Sequence, residues 1–303
     1  MPTVDTLPQI ESGDFFVVTE NRDINRELGA FANVDATDAK DFISRLDRMQ
    51  SDEGFGAYKR QNFQSLQLSP GAKVADIGCG AGDDAAALAG LVGPEGHATG
   101  VDISSSMIEE AGKRFANIEN LDFVTAPADS LPFETGSLDA IRADRVLIHV
   151  PDPQAAITEM LRVLKPGGRI ALSEPDMLGF WVANRDPQIS AVIAGAIANS
   201  CLHPNLPRDL SVVVRDLRLD AVKHWALGMI TDDFSFVDQV VRFEMVAQAL
   251  AAKGVAPADR IEGWVADLLE RRENGRFCAG LTIITVAAAK PGSPQESAFP
   301  QLA

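Results

Sequence analysis

Three glycines at every second position, Gly78, Gly80 and Gly82, follow a short apolar run from Lys73 to Ile77 that carries one acid, Asp76. The pattern reads as a buried strand, a glycine turn and then a helix. Glycine lets the chain turn sharply and lets a ligand approach bare backbone. The helix that follows would present free N–H groups to that ligand. Asp83 and Asp84 open an Ala/Leu-rich segment, Ala85 to Leu91, as N-cap and first-turn acids. A second run, His97 to Val101, ends in Asp102. This acid lies about twenty residues past the last glycine, where a ribose-binding carboxylate is expected. A plainer role is a cap for a helix over Ser104 to Phe115. The third glycine of a dinucleotide fingerprint would fall at Asp83, where an acid repels a pyrophosphate. The ligand expected is therefore an adenosyl group without phosphates. Asp76, two residues before the first glycine, suits a ligand that bears an amino group.

Asp76 to Gly82 matches D-x-G-x-G-x-G at each fixed position. In this the chain resembles the class I S-adenosylmethionine-dependent methyltransferases. Gly100-Val101-Asp102-Ile103-Ser104 is similar to the family's acidic second motif, and Ala128 to Phe133 to its adenine-flanking segment. Leu164-Lys165-Pro166-Gly167-Gly168 resembles the turn before its fifth strand. The resemblance covers residues 70 to 175 closely and the rest loosely. It implies S-adenosyl-L-methionine as cofactor. The contacts it implies come from Asp76, Gly78, Cys79, Gly80, Gly82, Asp102, Ile103, Met107, Ala128, Asp129, Ser130, Asp144 and Arg145.

Methyl transfer from a sulfonium demands alignment and exclusion of water more than acid–base help. A base is useful when the nucleophile is a hydroxyl. The fourth strand ends at Arg142-Ala143-Asp144-Arg145, and His149 follows before Pro151. Ligands of open parallel sheets sit beyond the carboxyl ends of strands, so His149 is the leading base. A structural histidine at a helix start is the alternative. Asp144 and Arg145 would contact the methionine part of the cofactor or pair with each other. Tyr58, the sole tyrosine, offers a hydroxyl on a lid or a core ring with its hydroxyl at the surface. His203 lies in a proline-bounded loop that is either a simple turn or a substrate contact. Phe180, Trp181 and Trp225 read as core, His97 as structural, and His224 receives no role.

Composition narrows the partners. With 43 acidic against 27 basic residues the net charge is −16, which disfavours bulk nucleic acid or an anionic membrane. No apolar run approaches the length of a membrane span, and Met1 to Gln9 lacks a secretory pattern. Cys79, Cys201 and Cys278 are widely separated, which suggests a reducing cytoplasm. Cys79 reads as a small filler of the turn. No Cys/His cluster has metal-ligand spacing. The expected partner is a small-molecule substrate, with no nucleic acid and room for a homodimer.

Strand and helix patterns alternate from Lys73 onward, which predicts an α/β fold. The expected core is a Rossmann-like, doubly wound, seven-stranded sheet, mostly parallel with an antiparallel last strand. Its strands are 73–77, 97–102, 121–125, 138–143, 169–174, 221–230 and 277–288. Residues 1–68 are expected, as the resemblance implies, to form an N-terminal helical lid, with helices that simply pack on the core domain as the alternative, beginning with a flexible leader over 1–13. The lid helices fall over 20–32 and 36–50, with Ala39, Phe42, Ile43, Leu46 and Met49 on one face and a hinge at Gly54-Phe55-Gly56. The cofactor-binding core spans 69–176. A cap insertion and the rest of the sheet span 177–290, including helices over 234–253 and 257–271. The tail over 291–303, rich in Pro, Ser and Gln, is expected to be flexible.

The leading reading is a methyltransferase acting on a partly apolar metabolite of middle size. Three others stay open: transfer or cyclisation of the aminocarboxypropyl group, a non-catalytic cofactor-binding module, and a nicotinamide dehydrogenase that Asp83 disfavours.

Overall fold

The computed structural model describes residues 39–51 and 53–292. The leader over 1–13, the helix over 20–32 and the tail beyond 292 lie outside these residues.

Two helices come first, α1 (Ala39–Ser51) and α2 (Glu53–Ser65). Then strands and helices alternate: β1 (Lys73–Ile77), α3 (Asp83–Val92), β2 (His97–Asp102), α4 (Ser105–Arg114), β3 (Leu121–Thr125) and β4 (Leu138–Asp144). A 3-10 turn over Leu147–His149 leads into α5 (Pro153–Val163) and β5 (Leu164–Pro175). The cap follows as β6 (Trp181–Val182), α6 (Pro187–Ala198) and α7 (Leu206–Asp216). The chain finishes with β7 (Asp220–Thr231), α8 (Phe234–Val241), α9 (Phe243–Ala252), α10 (Ala258–Glu273) and β8 (Ala279–Ala289).

Along the sheet the order is β3-β2-β1-β4-β5-β8, with β7 on the far side of β8. The pairs from β3 to β5 are parallel, and β8 runs antiparallel to both β5 and β7. The eighth strand, beyond the seven expected, is the two-residue β6, which pairs with Gly280 and Ala279 where β5 has ended. β1, β4 and β5 are largely buried on both faces, as strands covered by helices on each side must be.

Strand parity sorts the core. Ala75, Ile77, Ile141, Ala143, Ile170 and Leu172 face α5 and α7. Val74, Ala140, Ala171 and Ala287 face α3 and the end of α2. The cap has its own core, in which α6, α8, α9 and α10 close around Phe243 and Trp264. Met49, Phe55, Tyr58 and Ile283 join the N-terminal helices to it.

Three local expectations are corrected. Gly54-Phe55-Gly56 is not a hinge loop; it lies within α2. Asp83 is not the N-cap of α3: Gly82 is, with φ of 91° and no side-chain cap. The helix expected over 234–253 is two, because Arg242 takes φ of 51° and the Asp238 carboxylate accepts from Phe243 N.

Candidate active site

At the carboxyl end of β1 the backbone folds back on β2. Gly78 N and Cys79 N both donate to Val101 O, at 2.7 and 3.0 Å. The glycines then divide by role. A Cβ at Gly82 would lie 2.7 Å from the Phe123 ring and 2.9 Å from Ala111, so this glycine lets the start of α3 pack against β3 and α4, and it does not line the cavity described below. At Gly80 the nearest atom is Leu46 Cδ1 of α1, 3.0 Å from where a Cβ would sit. Gly80 therefore faces open space under a helix, where a ligand can reach its backbone.

Asp102 fixes this turn from the neighbouring strand. Its Oδ2 accepts from Gly80 N at 2.9 Å and its Oδ1 from Ser104 N at 2.9 Å. Ser104, not Asp102, caps α4 by accepting from Met107 N. The helix-cap role for Asp102 is thereby set aside, and the half-buried carboxylate lines the cavity.

That cavity encloses about 720 Å³. Asp76, Gly78, Cys79, Gly80, Asp102, Ile103, Met107, Ala128, Asp129, Asp144, Arg145 and His149 all line it. Ser130 and Tyr58 do not. Ser130 is exposed, its N donating to Pro127 O in a turn. Tyr58 is buried to 1% exposure, with its hydroxyl donating to Asp144 Oδ2 at 2.9 Å. Burial pushes the Tyr58 phenol well above its ordinary value, the Arg145 charge opposing. The surface hydroxyl expected for Tyr58 is thus corrected to a buried support for Asp144. His203 is likewise off the cavity; its Nε2 lies 3.0 Å from Val150 O and ties the cap to the turn after His149.

The floor of the polar end is a buried ion cluster. Asp76, Arg142, Asp144, Ser173 and Thr285 share one sheet face because β1, β4, β5 and β8 align them in register. Arg142 Nη1 reaches Asp76 at 2.8 Å and Asp84 at 3.0 Å, Nη2 reaches Asp144 at 2.7 Å, and Nε donates to Asn62 Oδ1 at 2.9 Å. Lys59 supplies a second cation to Asp84 at 2.9 Å. Burial opposes ionisation of Asp84, yet Arg142 and Lys59 hold it well below the usual carboxylate range. Burial instead pushes Asp76 up to about 7, against Arg142. Asp76 is thus committed to Arg142 as well as lining the cavity.

His149 closes the 3-10 turn, its N donating to Val146 O at 2.9 Å. Glu174, at the end of β5 and fully buried, accepts from Leu147 N at 2.6 Å and Val146 N at 3.0 Å through Oε1. Burial and the charge of Arg145 push His149 down to about 4, so the imidazole is neutral at neutral pH. It is therefore not half-protonated near pH 7, as its ordinary value would suggest.

The roof is α1 and α2, through Leu46, Met49, Gln50, Phe55 and Lys59. Two ion pairs hold α1 across the cavity. Arg114 of α4 takes Asp47 at 2.6 and 3.1 Å, and Arg48 takes Asp233 before α8 at 2.6 Å. Beyond the polar end the cavity becomes apolar, between Met177, Phe180, Ile197, Met229, Phe236, Val237, Val240 and Leu281.

Arg142, Asp84, Lys59, Asn62 and Glu174 escaped the reading of the sequence as site residues. Strand parity was the available signal for Arg142. Asn62 and Lys59 come from a helix some eighty residues before β4, and no local pattern marks them.

Residues 68–208 match the family model for a methyltransferase domain. A 37.1 kDa protein in transposon TN4556 of Streptomyces fradiae is 30% identical over 253 residues, 83% of this chain and 72% of that one. The chain belongs to the class I S-adenosylmethionine-dependent methyltransferases. S-adenosylmethionine is the cofactor of this methyltransferase family. The demethylmenaquinone methyltransferase of Staphylococcus aureus is 38% identical over 130 residues, 43% of this methyltransferase. The match spans about half of that enzyme's own length, 54%. Among solved structures, the YcgJ protein from Bacillus subtilis superposes with a TM-score of 0.51 and 22% identity over 76% of this chain and 96% of that one. It shares the fold.

Proposed function

We propose that this methyltransferase transfers the methyl group in line to a partly apolar small molecule of middle size held in the cap chamber. One observation carries the reading. A single cavity runs from the bare backbone at Gly80 and the Asp102 carboxylate into an apolar chamber built from α6, α8, β7 and β8.

The residues present fit the cofactor. Gly80 leaves room for close approach. Asp102 has two oxygens beside that gap, and Asp76, Asp83, Asp84 and Asp144 give the polar end an acidic character suited to a cation. Asp102 would hold the ribose, Met107, Ala128 and Asp129 the adenine, and Asp144 the methionine end. When bound, the sulfonium supplies an activated methyl group. The chain supplies alignment and a dry chamber. α1 and α2 act as the lid, held by Arg48 and Arg114.

His149 is the base for a hydroxyl acceptor. Its neutral ring can accept a proton throughout the physiological range, although its depressed basicity suits only an acidic hydroxyl. A quinone-type ring agrees with the chamber's apolar lining and with the name of the Staphylococcus aureus relative. A small molecule rather than nucleic acid agrees with the net charge of −16. No helix among the described residues is long and apolar enough to cross a membrane.

Chromatography of the adenosyl product tests the reaction type. Turnover with an apolar metabolite extract should yield S-adenosylhomocysteine; methylthioadenosine would mean that another bond of the sulfonium is cut.

A further inference from the structure

Arg142 and Arg145, three residues apart, differ in how fully they are paired. Arg142 has an oxygen partner on each of its three nitrogens, at 2.7 to 3.0 Å. Arg145 lines the cavity and is more open, its side chain 20% exposed against 1% for Arg142, and its guanidinium makes fewer bonds. Nη1 meets only the Met49 thioether, a weak acceptor. The nearest carboxylate oxygen to Nε, Asp144 Oδ1, is 3.6 Å away, and Nε is buried with no hydrogen-bond partner. Buried donors left unpaired are costly, more so when charged. The backbone is strained as well: Arg145 holds φ of 61°, with its N bonded to Ser173 O at 2.8 Å. The fold thus holds a guanidinium with unmade bonds at the cavity wall.

Its location narrows what can complete it. The guanidinium carbon stands 5.3 Å from the Phe55 ring centroid, and Phe55 packs edge-on against Phe236 of the apolar chamber. Asp144, at the end of β4, lies 3.6 Å from its Nε. Arg145 therefore stands at the border between the polar end and the chamber. Its charge also reaches His149.

Given the methyltransferase reading above, on which this rests, we propose that Arg145 selects an acceptor bearing an oxyanion, the ionised oxygen of an acidic phenol or enol on an apolar frame, and holds that oxygen at the chamber entrance. A guanidinium beside a phenolic oxygen favours its ionised form. An acceptor that arrives ionised has left its proton in bulk water; one that arrives as the neutral hydroxyl gives it to the His149 ring. Arg145 is on this account a binding and specificity residue, and its partner belongs to the acceptor rather than to the cofactor's carboxylate.

The test uses 4-nitrophenol, whose anion absorbs visible light, added to the full chain saturated with S-adenosylhomocysteine. Spectrophotometric titration should show the bound phenol ionising at lower pH than the free one, by about tenfold or more in acidity. Arg145→Gln should remove that shift, while calorimetry shows S-adenosylhomocysteine affinity changed by less than about threefold. Arg145→Lys should restore part of the shift, since it keeps the charge without the fork. Absence of bound anion in the wild-type protein, or an undiminished shift in Arg145→Gln, overturns the proposal. So does loss of S-adenosylhomocysteine affinity in Arg145→Gln, which would give the guanidinium to the cofactor. If the wild-type chain does not bind S-adenosylhomocysteine, the methyltransferase reading itself fails and this one with it.

Discussion

The Tyr58 hydroxyl donates to Asp144 Oδ2 at 2.9 Å, so α2 meets the tip of β4 through a buried hydrogen bond. Tyr58→Phe removes the donor and leaves a buried carboxylate short of a partner. The expected loss is about 1–3 kcal/mol in urea unfolding. If the hydroxyl only supports Asp144, the catalytic rate should stay within a few-fold of wild type. A rate collapse with unchanged stability would place the hydroxyl in the chemistry.

Asp102 bonds Gly80 N and Ser104 N in this structure and lines the cavity. Asp102→Ala should weaken S-adenosylhomocysteine by about 1–3 kcal/mol in calorimetry, through lost charged hydrogen bonds. Gly80→Val should abolish binding, because the side chain would fill the space through which a ligand reaches the bare backbone, at a φ of 52° that L side chains rarely adopt. Unchanged affinity in a folded Asp102→Ala protein would remove this carboxylate from the site.

Most of the fold could be read in the sequence, since each strand from β1 to β5 announces itself as a short apolar run ending near a turn. The glycine turn and Asp102 were also legible, because their spacing is a local matter. The role of Gly82 was not: Phe123 and Ala111, which need it bare, are known as its neighbours only once β3 and α4 have packed. The ion cluster was half legible. Parity puts Asp76, Arg142 and Asp144 on one face, but only the path of α2 brings Lys59, Asn62 and Tyr58 over them. The neutral state of His149 depends on burial and on Arg145, and residue type alone suggests the opposite.

His149→Ala should lower the catalytic rate roughly 10²–10⁴-fold if the imidazole removes a proton, with little change in cofactor affinity. Because burial and Arg145 push the ring down to about 4, the ascending limb of the wild-type pH–rate profile should lie near that value. The rate should therefore be flat in this ring's titration from pH 6 to 8. A mutant that retains both rate and limb would make His149 structural, with transfer working by alignment.

Glu174 has a pH signature in stability. Burial pushes its carboxyl from 4.5 up to about 8, despite the hydrogen bonds from Leu147 and Val146. The folded state thus binds the proton more tightly than the unfolded one. The resulting stability is complete below about pH 4.5 and is lost as pH rises through about 8. Glu174→Gln should flatten that fall by up to a few kcal/mol between pH 5 and 8, in paired denaturation curves. Asp76, raised to about 7, acts in the same direction and is common to both proteins, so the difference isolates Glu174. Equal slopes in the two proteins would show that Glu174 is ionised in the fold.

The central claim is that one cavity joins the cofactor at Gly80 and Asp102 to an apolar acceptor under α6 and α8. The most direct measurement supplies S-adenosylmethionine with a trideuterated methyl group, together with an apolar metabolite extract, and follows masses by chromatography. The account predicts that one apolar species gains a single trideuterated methyl in step with S-adenosylhomocysteine, and that Asp102→Ala slows both together. Label that appears only in water-soluble or macromolecular fractions, or no label transfer from a chain that binds the cofactor, would contradict it.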